Sequence, residues 1–155
     1  MKIKKRPPRL PLIRKECFRP LYFVTINTWN RRKILACIEV YEAFMEYAER
    51  NKKYGRAIGK FVIMPDHLHF FVALEPESKL GDFVRFLKHS LTKVLKSKYE
   101  IENVWQPGFF DHLLRSTESY FEKWNYVAHN PERKELVKKA EDWQWQGEVV
   151  VIDRA

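Results

Sequence analysis

The chain has 155 residues, of which 45% are hydrophobic and 15% aromatic, and this composition excludes a disordered class and fits one folded domain. No apolar run approaches the roughly 18 to 20 residues of a membrane-spanning helix, and the lysine-rich start lacks the apolar stretch of a secretory signal. Cys17 and Cys37 have neither the spacing of a zinc site nor that of a disulfide framework. We therefore expect a soluble, single-domain protein of the cytoplasm.

Positive charge is concentrated at the N-terminus. The chain has a net charge of +9, and residues 1–20, with eight basic residues and one acidic residue, account for +7 of it. A basic arm of this kind is typical of proteins whose partner is a polyanion, with nucleic acid the first expectation. A solvated tail that only aids solubility has the same composition, so charge alone leaves both interpretations open.

The first half of the remaining chain predicts a strand, a helix and a hairpin. Leu21–Asn27 is rich in β-branched and aromatic residues, which is typical of a strand. Apolar residues at helical spacing predict a helix over about residues 38–53, with Gly55 just beyond its end. Residues 56–64 and 67–74 read as two strands joined by a turn at Pro65-Asp66. The helical spacing is carried by Tyr41, Phe44, Met45 and Ala48.

The second half predicts two longer helices around a fourth strand. Ser78 reads as the cap of a helix with an apolar stripe from Leu80 to Leu95, and a strand over 104–115 is interrupted at Pro107-Gly108. A third helix opens at Ser116 or Ser119 and runs to about Asn130, where Pro131 forces a break. A short charged helix and a Trp143-Gln-Trp145 tail follow. The second helix has a basic face that either tracks phosphates or is merely solvated, made by Arg85, Lys88, Lys93 and Lys96.

The element order β-α-β-β-α-β-α predicts an α+β fold of the ferredoxin-like, split β-α-β kind. In this fold an antiparallel sheet has helices on one face, which leaves the other face free for a site. In this chain the C-terminal helix carries a tyrosine, Tyr126. We expect a basic N-terminal arm over residues 1–20, the folded domain over 21–147 and a tail over 148–155.

Two histidines on the third strand are candidates for chemistry. Side chains alternate along a strand, so His67 and His69 lie on one face with Cα atoms about 6–7 Å apart, while Leu68, Phe70 and Val72 face the core. Two neighbouring imidazoles can hold one divalent ion. Two strand histidines satisfied by hydrogen bonds would show the same spacing, so this pattern leaves both interpretations open.

Tyr126 lies in the middle of a polar helix face. On a helical wheel of 100° per residue, Tyr120, Phe121, Trp124, Val127 and Ala128 fall on the opposite side, so we expect these five to face the core. A surface tyrosine with its hydroxyl in water is the alternative to a reactive one. The polar residues within about 60° of Tyr126 on that wheel are Ser119, Glu122, Lys123, His129 and Asn130.

Asn130 follows Tyr126 by one helical turn and therefore shares its face. Its amide oxygen could complete a metal site with two imidazoles. Asn130 followed by Pro131 also reads as an N-cap with proline at the first helical position. The spacing does not choose between a ligand and a cap.

These segments together resemble one family. His67-Leu68-His69 looks like the His-hydrophobic-His (HUH) motif, and residues 126–131 look like the single-tyrosine motif of the small HUH transposases. Residues 105–112, followed by Leu114-Arg115, are similar to the fourth-strand signature of one branch, the REP-associated tyrosine transposases. The resemblance spans about residues 20–147, and three motifs in the right order are far more specific than any one of them.

The resemblance implies an enzyme that nicks single-stranded DNA beside an imperfect hairpin and transfers strands through a 5′-phosphotyrosine intermediate. It makes Tyr126 the nucleophile, assisted by His67 and His69, and it makes His67, His69 and Asn130 ligands of Mg²⁺ or Mn²⁺. Insertion-sequence members have glutamine where this chain has Asn130, which is one methylene shorter. Glu122 could accept the proton of the tyrosine, or be a solvated glutamate.

The resemblance also gives the arm a role and leaves other features open. It implies a monomer or a homodimer that binds hairpin-bearing single-stranded DNA, in the cytoplasm or, in a bacterium, at the nucleoid. His112 could lie near the site, whereas we expect His89 and His129 to be exposed. The residues expected to contact hairpin phosphates are Lys4, Lys5, Arg6, Arg9, Arg14 and Lys15.

Three other functions are compatible with the sequence. A domesticated hairpin-binding protein would keep the DNA affinity and lack strand transfer. An RNA-binding module would stack bases on aromatic residues of the sheet face, where Phe71 lies beside the two histidines. A hydrolytic nuclease would cleave DNA without forming a protein–DNA adduct.

Overall fold

The computed structural model describes residues 9–11, 19–115 and 117–153 of the chain. The order of its main elements confirms the predicted β-α-β-β-α-β-α arrangement. The strands are β1 (Arg9–Pro11), β2 (Leu21–Asn27), β3 (Ala57–Ile63), β4 (His67–Ala73), β5 (Phe110–Leu114), β6 (Gln146–Glu148) and β7 (Val151–Asp153). The α-helices are α1 (Ile38–Lys52), α2 (Leu80–Tyr99), α3 (Thr117–Ala128) and α4 (Asn130–Arg133), with 3₁₀ turns at Trp29–Arg31 and Ala140–Asp142.

The main sheet has the strand order β5-β2-β4-β3-β6, and every pairing in it is antiparallel. Helix α1 crosses from β2 to β3 and α2 crosses from β4 to β5, so each crossover passes one intervening strand. This is the predicted split β-α-β topology, which confirms the ferredoxin-like fold. A separate parallel pair joins β1, within the predicted arm, to β7, within the predicted tail.

Helices α1 and α2 cover one face of the sheet, the helix face. Phe44 of α1 and Leu87 of α2 are fully buried in one cluster with Phe70 of β4. Leu68 and Val72 belong to the same cluster, as the alternation along β4 predicted. None of the described helices has the length and apolar character needed to cross a membrane.

The opposite face carries His67 and His69 and is called here the site face. The prediction that this face is free was wrong over part of its area, because α3 packs on it. Phe23 and Phe71 of the sheet share a buried cluster with Tyr120 and Val127 of α3, and the ring centroids of Phe71 and Tyr120 are 4.7 Å apart. The open part of the site face therefore lies towards β5.

The buried side of α3 is narrower than the helical wheel suggested. Tyr120, Trp124 and Val127 follow the i, i+4, i+7 spacing and pack against the sheet cluster. Phe121 was predicted on the core side but is 55% exposed. It directly follows Tyr120 and therefore lies outside the i, i+4, i+7 positions that face the sheet. The helix begins at Thr117, so Ser119 is not its first residue, and Ser116 lies outside the described residues.

Two boundaries differ from the prediction for local reasons. The hydroxyl of Ser78 donates to the Glu75 carboxylate at 2.7 Å, and helix α2 starts after Lys79 without a side-chain cap, so the predicted Ser78 cap was wrong. Strand β5 begins only at Phe110. The residues before it cannot continue the strand, because Pro107 lacks an N–H and Gly108 has a φ of +78°.

Lys88 holds the segment that precedes β5. Its ammonium donates to the carbonyls of Gln106, at 3.2 Å, and Gly108, at 2.6 Å, and burial lowers the pKa of Lys88. The Trp105 indole N–H donates back to the hydroxyl of Thr92 on the same helix, at 2.9 Å. Lys88, on the basic face of α2, therefore binds its own chain, which neither interpretation of that face predicted.

Replacing Lys88 with methionine should loosen this segment while keeping the aliphatic stem. The loss of two charge-assisted hydrogen bonds at a half-buried position should lower the free energy of unfolding by about 1–2 kcal/mol. Hydrogen–deuterium exchange of residues 105–109 should become faster. Lys93→Met, an exposed change on the same helix, is the matched control, and equal exchange in both variants would contradict the assignment.

Candidate functional site

Strand β4 brings His67 and His69 together on the site face, as predicted. Their ring centroids are 4.7 Å apart and their planes meet at 77°. His67 is only 7% exposed, although it lies at the end of the strand. The turn before it is fixed by the backbone N–H of Thr28, which donates to the Asp66 carbonyl at 3.0 Å. The two imidazoles are thus held by a well-bonded hairpin end.

An acidic residue orients His67. The Nδ1 atom of His67 is 2.7 Å from Oδ1 of Asp66, so this nitrogen carries the proton and donates to the carboxylate. The Nε of Arg31 donates to the other oxygen of Asp66 at 3.1 Å. With Nδ1 protonated, the lone pair of the His67 ring is on Nε2, which is the nitrogen left for a ligand.

A hydroxyl orients His69 in the same way. Thr25 pairs with His69 across the sheet, and its Oγ1 is 2.8 Å from Nδ1 of His69. The ring is also stacked on Phe23, with a centroid separation of 5.3 Å and an angle of 19°. When His69 donates from Nδ1 to Thr25, both histidines present Nε2. This is the arrangement that a second layer of hydrogen bonds gives to metal-binding histidines.

Both imidazoles are neutral at neutral pH. Burial lowers the pKa of His67, although the neighbouring Asp66 carboxylate opposes this. Burial lowers the pKa of His69 to about 3, and the charge of His67 when that ring is protonated, together with those of Arg31 and Lys123, adds to the effect. The pKa of Asp66 is also lowered: burial raises it, but the hydrogen bonds from His67 and Arg31 and the charge of Arg31 outweigh burial. A neutral imidazole is the form that binds a metal ion.

The low pKa of His69 predicts a loss of stability below pH 6.5. The unfolded chain takes up this proton near pH 6.5 and the folded chain only near pH 3, so the unfolded state binds more protons in between. His69 should therefore lower the free energy of unfolding by up to about 1.4 kcal/mol per pH unit in this window. Denaturant unfolding at about pH 7 and pH 5 should show this slope in wild type and in the exposed control His112→Gln. An equal slope in His69→Gln would contradict the prediction.

Tyr126 stands on the exposed side of α3, where the helical wheel placed it. Its side chain is 66% exposed and lines a pocket of about 270 Å³ with His112, Glu122 and Lys123. The guanidinium of Arg133 lies 4.0 Å from the centre of the Tyr126 ring. A phenol that is open to solvent and bordered by cations is available to an anionic substrate.

Asn130 is buried whereas Tyr126 is exposed, although Arg133 contacts both, and the helix breaks between them. Helix α3 ends at Ala128 and α4 starts at Asn130, so His129 is the cap residue and the predicted Asn130 cap was wrong. Asn130 is 9% exposed, and its Oδ1 accepts a hydrogen bond from Nη2 of Arg133. The break before Pro131 was predicted, and it turns Asn130 inward.

Of the three predicted metal ligands, His67 and His69 fit a divalent ion. His67 and His69 are neutral and adjacent, and each has Nε2 free in the tautomer described above. Asn130 would have to exchange its bond to Arg133 for the metal, so its ligation stays a prediction. Among the described residues, no three His, Cys, Asp or Glu side chains cluster so as to hold a metal by themselves.

Lys123 connects the tyrosine helix to the histidines. It lines the pocket of Tyr126, its ammonium lies 5.5 Å from the centre of the Phe23 ring, and its charge acts on His69. The charge of Lys134, just after α4, acts on His67. Helix α3 and the chain after it therefore bring basic groups to the imidazole pair.

The remaining candidates are placed as follows. His112 shares the pocket of Tyr126, whereas His89 is exposed and lines a groove between α1 and α2. His129 is exposed, and its Nδ1 is 2.8 Å from the carbonyl of Asn125. Of the six arm residues predicted to bind DNA, only Arg9 is described, and only in its backbone. The other arm residues predicted to bind DNA lie outside the described residues: Lys4, Lys5, Arg6, Arg14 and Lys15.

Sequence reasoning missed the residues that orient the histidines. Thr25 could have been found by pairing the two strands in register, and Asp66 by its position next to His67. Arg31 and Arg133 gave no usable signal, since their contacts depend on turns that the sequence pattern does not specify.

Comparison with known proteins identifies the family of the chain. The profile of the family described as "Transposase IS200 like" matches residues 17–130, a range that includes both histidines, Tyr126 and Asn130. The chain is similar to the REP-associated tyrosine transposase of Escherichia coli strain K12, with 30% identity over 125 residues, 79% of this chain and 72% of the relative. A solved structure of a REP-associated tyrosine transposase bound to a REP hairpin has a TM-score of 0.66 and 25% identity, and the match covers 88% of this chain and 82% of that one. The chain therefore belongs to the IS200-like transposase family, and within it to the REP-associated tyrosine transposases.

Proposed function

We propose that this transposase nicks single-stranded DNA beside an imperfect hairpin and transfers strands through a 5′-phosphotyrosine on Tyr126, with Mg²⁺ or Mn²⁺ at His67 and His69. The observation that carries the proposal is the exposed phenol of Tyr126 on a helix whose Lys123 lines the same pocket and lies over the Phe23 ring, which is stacked on His69. A nucleophile and a neutral donor pair for a metal thus share one basic face.

The covalent step follows from the chemistry of the phenol. The Tyr126 oxygen attacks the phosphorus, the bond from phosphorus to the 3′ oxygen breaks, and the 5′ phosphate stays on the protein. The phenol loses its proton during the attack, and Glu122, which lines the same pocket, accepts it. Attack by a 3′-hydroxyl on the phosphotyrosine reverses the step, which joins strands without an external energy source.

Cationic side chains position the phosphate. Lys123 and Arg133 border the Tyr126 ring and can contact non-bridging phosphate oxygens as the phenol approaches. Asp66 and Thr25 keep Nε2 of both histidines turned towards the ligand. When bound there, Mg²⁺ or Mn²⁺ would supply Lewis-acid neutralisation of the charge that develops on the phosphate.

A denaturing gel tests this proposal. The protein is mixed with labelled single-stranded DNA that carries a hairpin from the DNA flanking its gene, with and without Mg²⁺ or Mn²⁺. A protease-sensitive, slowly migrating band that requires the metal supports the covalent mechanism. Cleavage without such a band indicates a hydrolytic nuclease, and tight binding without cleavage indicates a domesticated hairpin-binding protein. Equal activity on hairpin RNA would move the function to the RNA-binding alternative.

The basic arm is proposed to bind the hairpin phosphates. Because β1 pairs with β7, deleting residues 1–20 would also remove a strand, so charge neutralisation is the cleaner test. Changing Lys4, Lys5 and Arg6 to glutamine should lower the slope of log affinity against log salt by up to about 2–3, at close to one unit per phosphate contact. The matched control changes the exposed Lys52, Lys53 and Lys93 to glutamine. An unchanged slope in the arm variant would overturn this role.

A further inference from the structure

Strand β5 is an edge strand that exposes an aromatic ring on the site face. Phe110 is 61% exposed, whereas the aromatic residue named above for base stacking, Phe71, is fully buried beneath α3. Phe110 pairs with Thr25 across the sheet, and Thr25 pairs with His69, so the three side chains form one row on the same face. Two strand spacings place the Cα atoms of Phe110 and His69 about 10 Å apart.

The chain segment that carries the Phe110 ring is held in place by contacts with α2 and the core. The neighbouring Phe109 is partly buried against the helix-face core, and Lys88 holds the carbonyls of Gln106 and Gly108 just before it. Phe110 is therefore not an aromatic residue at the tip of a loose loop. An exposed aromatic ring that is held in one position on the sheet, in the same row as His69, is a suitable surface for stacking a nucleobase.

The charges around Phe110 favour a nucleic acid strand over a protein partner. Two cations border the pocket beside β5: Lys123 lines it together with His112 and Glu122, and the guanidinium of Arg133 lies 4.0 Å from the centre of the Tyr126 ring. Asp111 pairs with Val24 and so faces the helix side of the sheet. Cations and one aromatic ring on a common face are the combination by which proteins bind single strands, through phosphates and base stacking respectively.

We infer that Phe110 stacks on one unpaired nucleobase of the strand whose phosphate lies at the histidine pair, and that this contact sets the register of the strand in the site. The inference rests on the proposed function, which it extends by naming a base-binding position. Stacking on a ring tolerates every base, so Phe110 contributes affinity and positioning rather than a base preference.

The test compares Phe110→Ala and Phe110→Trp with Phe86→Ala, which removes another exposed ring (52%) from α2. Affinity is measured for an unstructured dT12 strand and for the hairpin strand carrying 2-aminopurine at each unpaired position in turn. Phe110→Ala should weaken dT12 binding by about five-fold or more and remove the quenching of 2-aminopurine at one position. Phe110→Trp should restore both, and Phe86→Ala should change neither.

Equal dT12 affinity in Phe110→Ala and wild type, with an unchanged pattern of quenching, would overturn the inference. Adduct formation by the same proteins is measured at saturating DNA. This measurement distinguishes failure of the stacking inference from failure of the proposed function. An adduct in both wild type and Phe110→Ala, with no change in binding, would refute the platform and leave the covalent mechanism standing. Loss of binding on Phe110→Ala, in a protein whose wild type forms no adduct, would support base stacking by Phe110 and refute the covalent mechanism.

Discussion

Replacing Tyr126 with phenylalanine should abolish the covalent protein–DNA adduct and lower strand cleavage by about three orders of magnitude or more, as removal of a nucleophile does in other enzymes. The phenol is exposed and its removal leaves the ring against Arg133, so we expect no change in folding and little change in DNA affinity. Denaturing gels with metal and hairpin DNA measure the adduct, and filter binding measures the affinity.

Tyr120 supplies a matched control on the same helix. Its ring packs on Phe71, its hydroxyl is buried with no hydrogen-bond partner among the described residues, and burial raises its pKa well above the ordinary value. Tyr120→Phe should therefore form the adduct at the wild-type rate. If Tyr126→Phe keeps the adduct, or if Tyr120→Phe loses it in a folded protein, the assignment of the nucleophile is wrong.

Removing either imidazole should strongly lower the affinity for the metal ion. His67→Ala and His69→Ala each remove one of two adjacent neutral donors, and we expect Mn²⁺ affinity to fall by about 100-fold or more. Asp66→Asn keeps the shape of the side chain but removes the carboxylate that holds the His67 tautomer, so the expected loss is about 10-fold. Electron paramagnetic resonance of free Mn²⁺ in DNA-free protein measures this binding without reference to activity.

His112→Ala is the control for this series. His112 is an exposed histidine on the same sheet face, paired with Phe23, and it lies outside the imidazole pair. It should leave Mn²⁺ binding unchanged. Wild-type affinity in both His67→Ala and His69→Ala would show that the metal is held elsewhere.

Much of the fold could be predicted because local patterns decide it. Alternation along β4 placed His67 and His69 on one face, and the order of strands and helices limited the topology to the split β-α-β arrangement. The helical wheel separated Tyr126 from Tyr120 correctly, since α3 has one apolar stripe.

The rest depends on contacts between residues far apart in sequence. Arg31 reaches Asp66 across 35 positions, and Lys88 reaches Gly108 across 20, so neither partner is visible in a local pattern. The site face was expected to be free because the packing of α3 against Phe71 joins residues far apart in sequence, which a local pattern does not reveal. Arg133 contacts both Asn130 and the Tyr126 ring, and this link spans a helix break whose geometry a local pattern does not specify.

Peptide mapping of the adduct tests the central claim most directly. Trypsin separates the two tyrosines of α3, because residues 124–133 contain only Tyr126 and residues 116–123 contain only Tyr120. After reaction with hairpin DNA and nuclease digestion, mass spectrometry should find the nucleotide phosphate on Tyr126. A nucleotide phosphate on any other residue, or cleaved DNA with no modified peptide, would contradict the account.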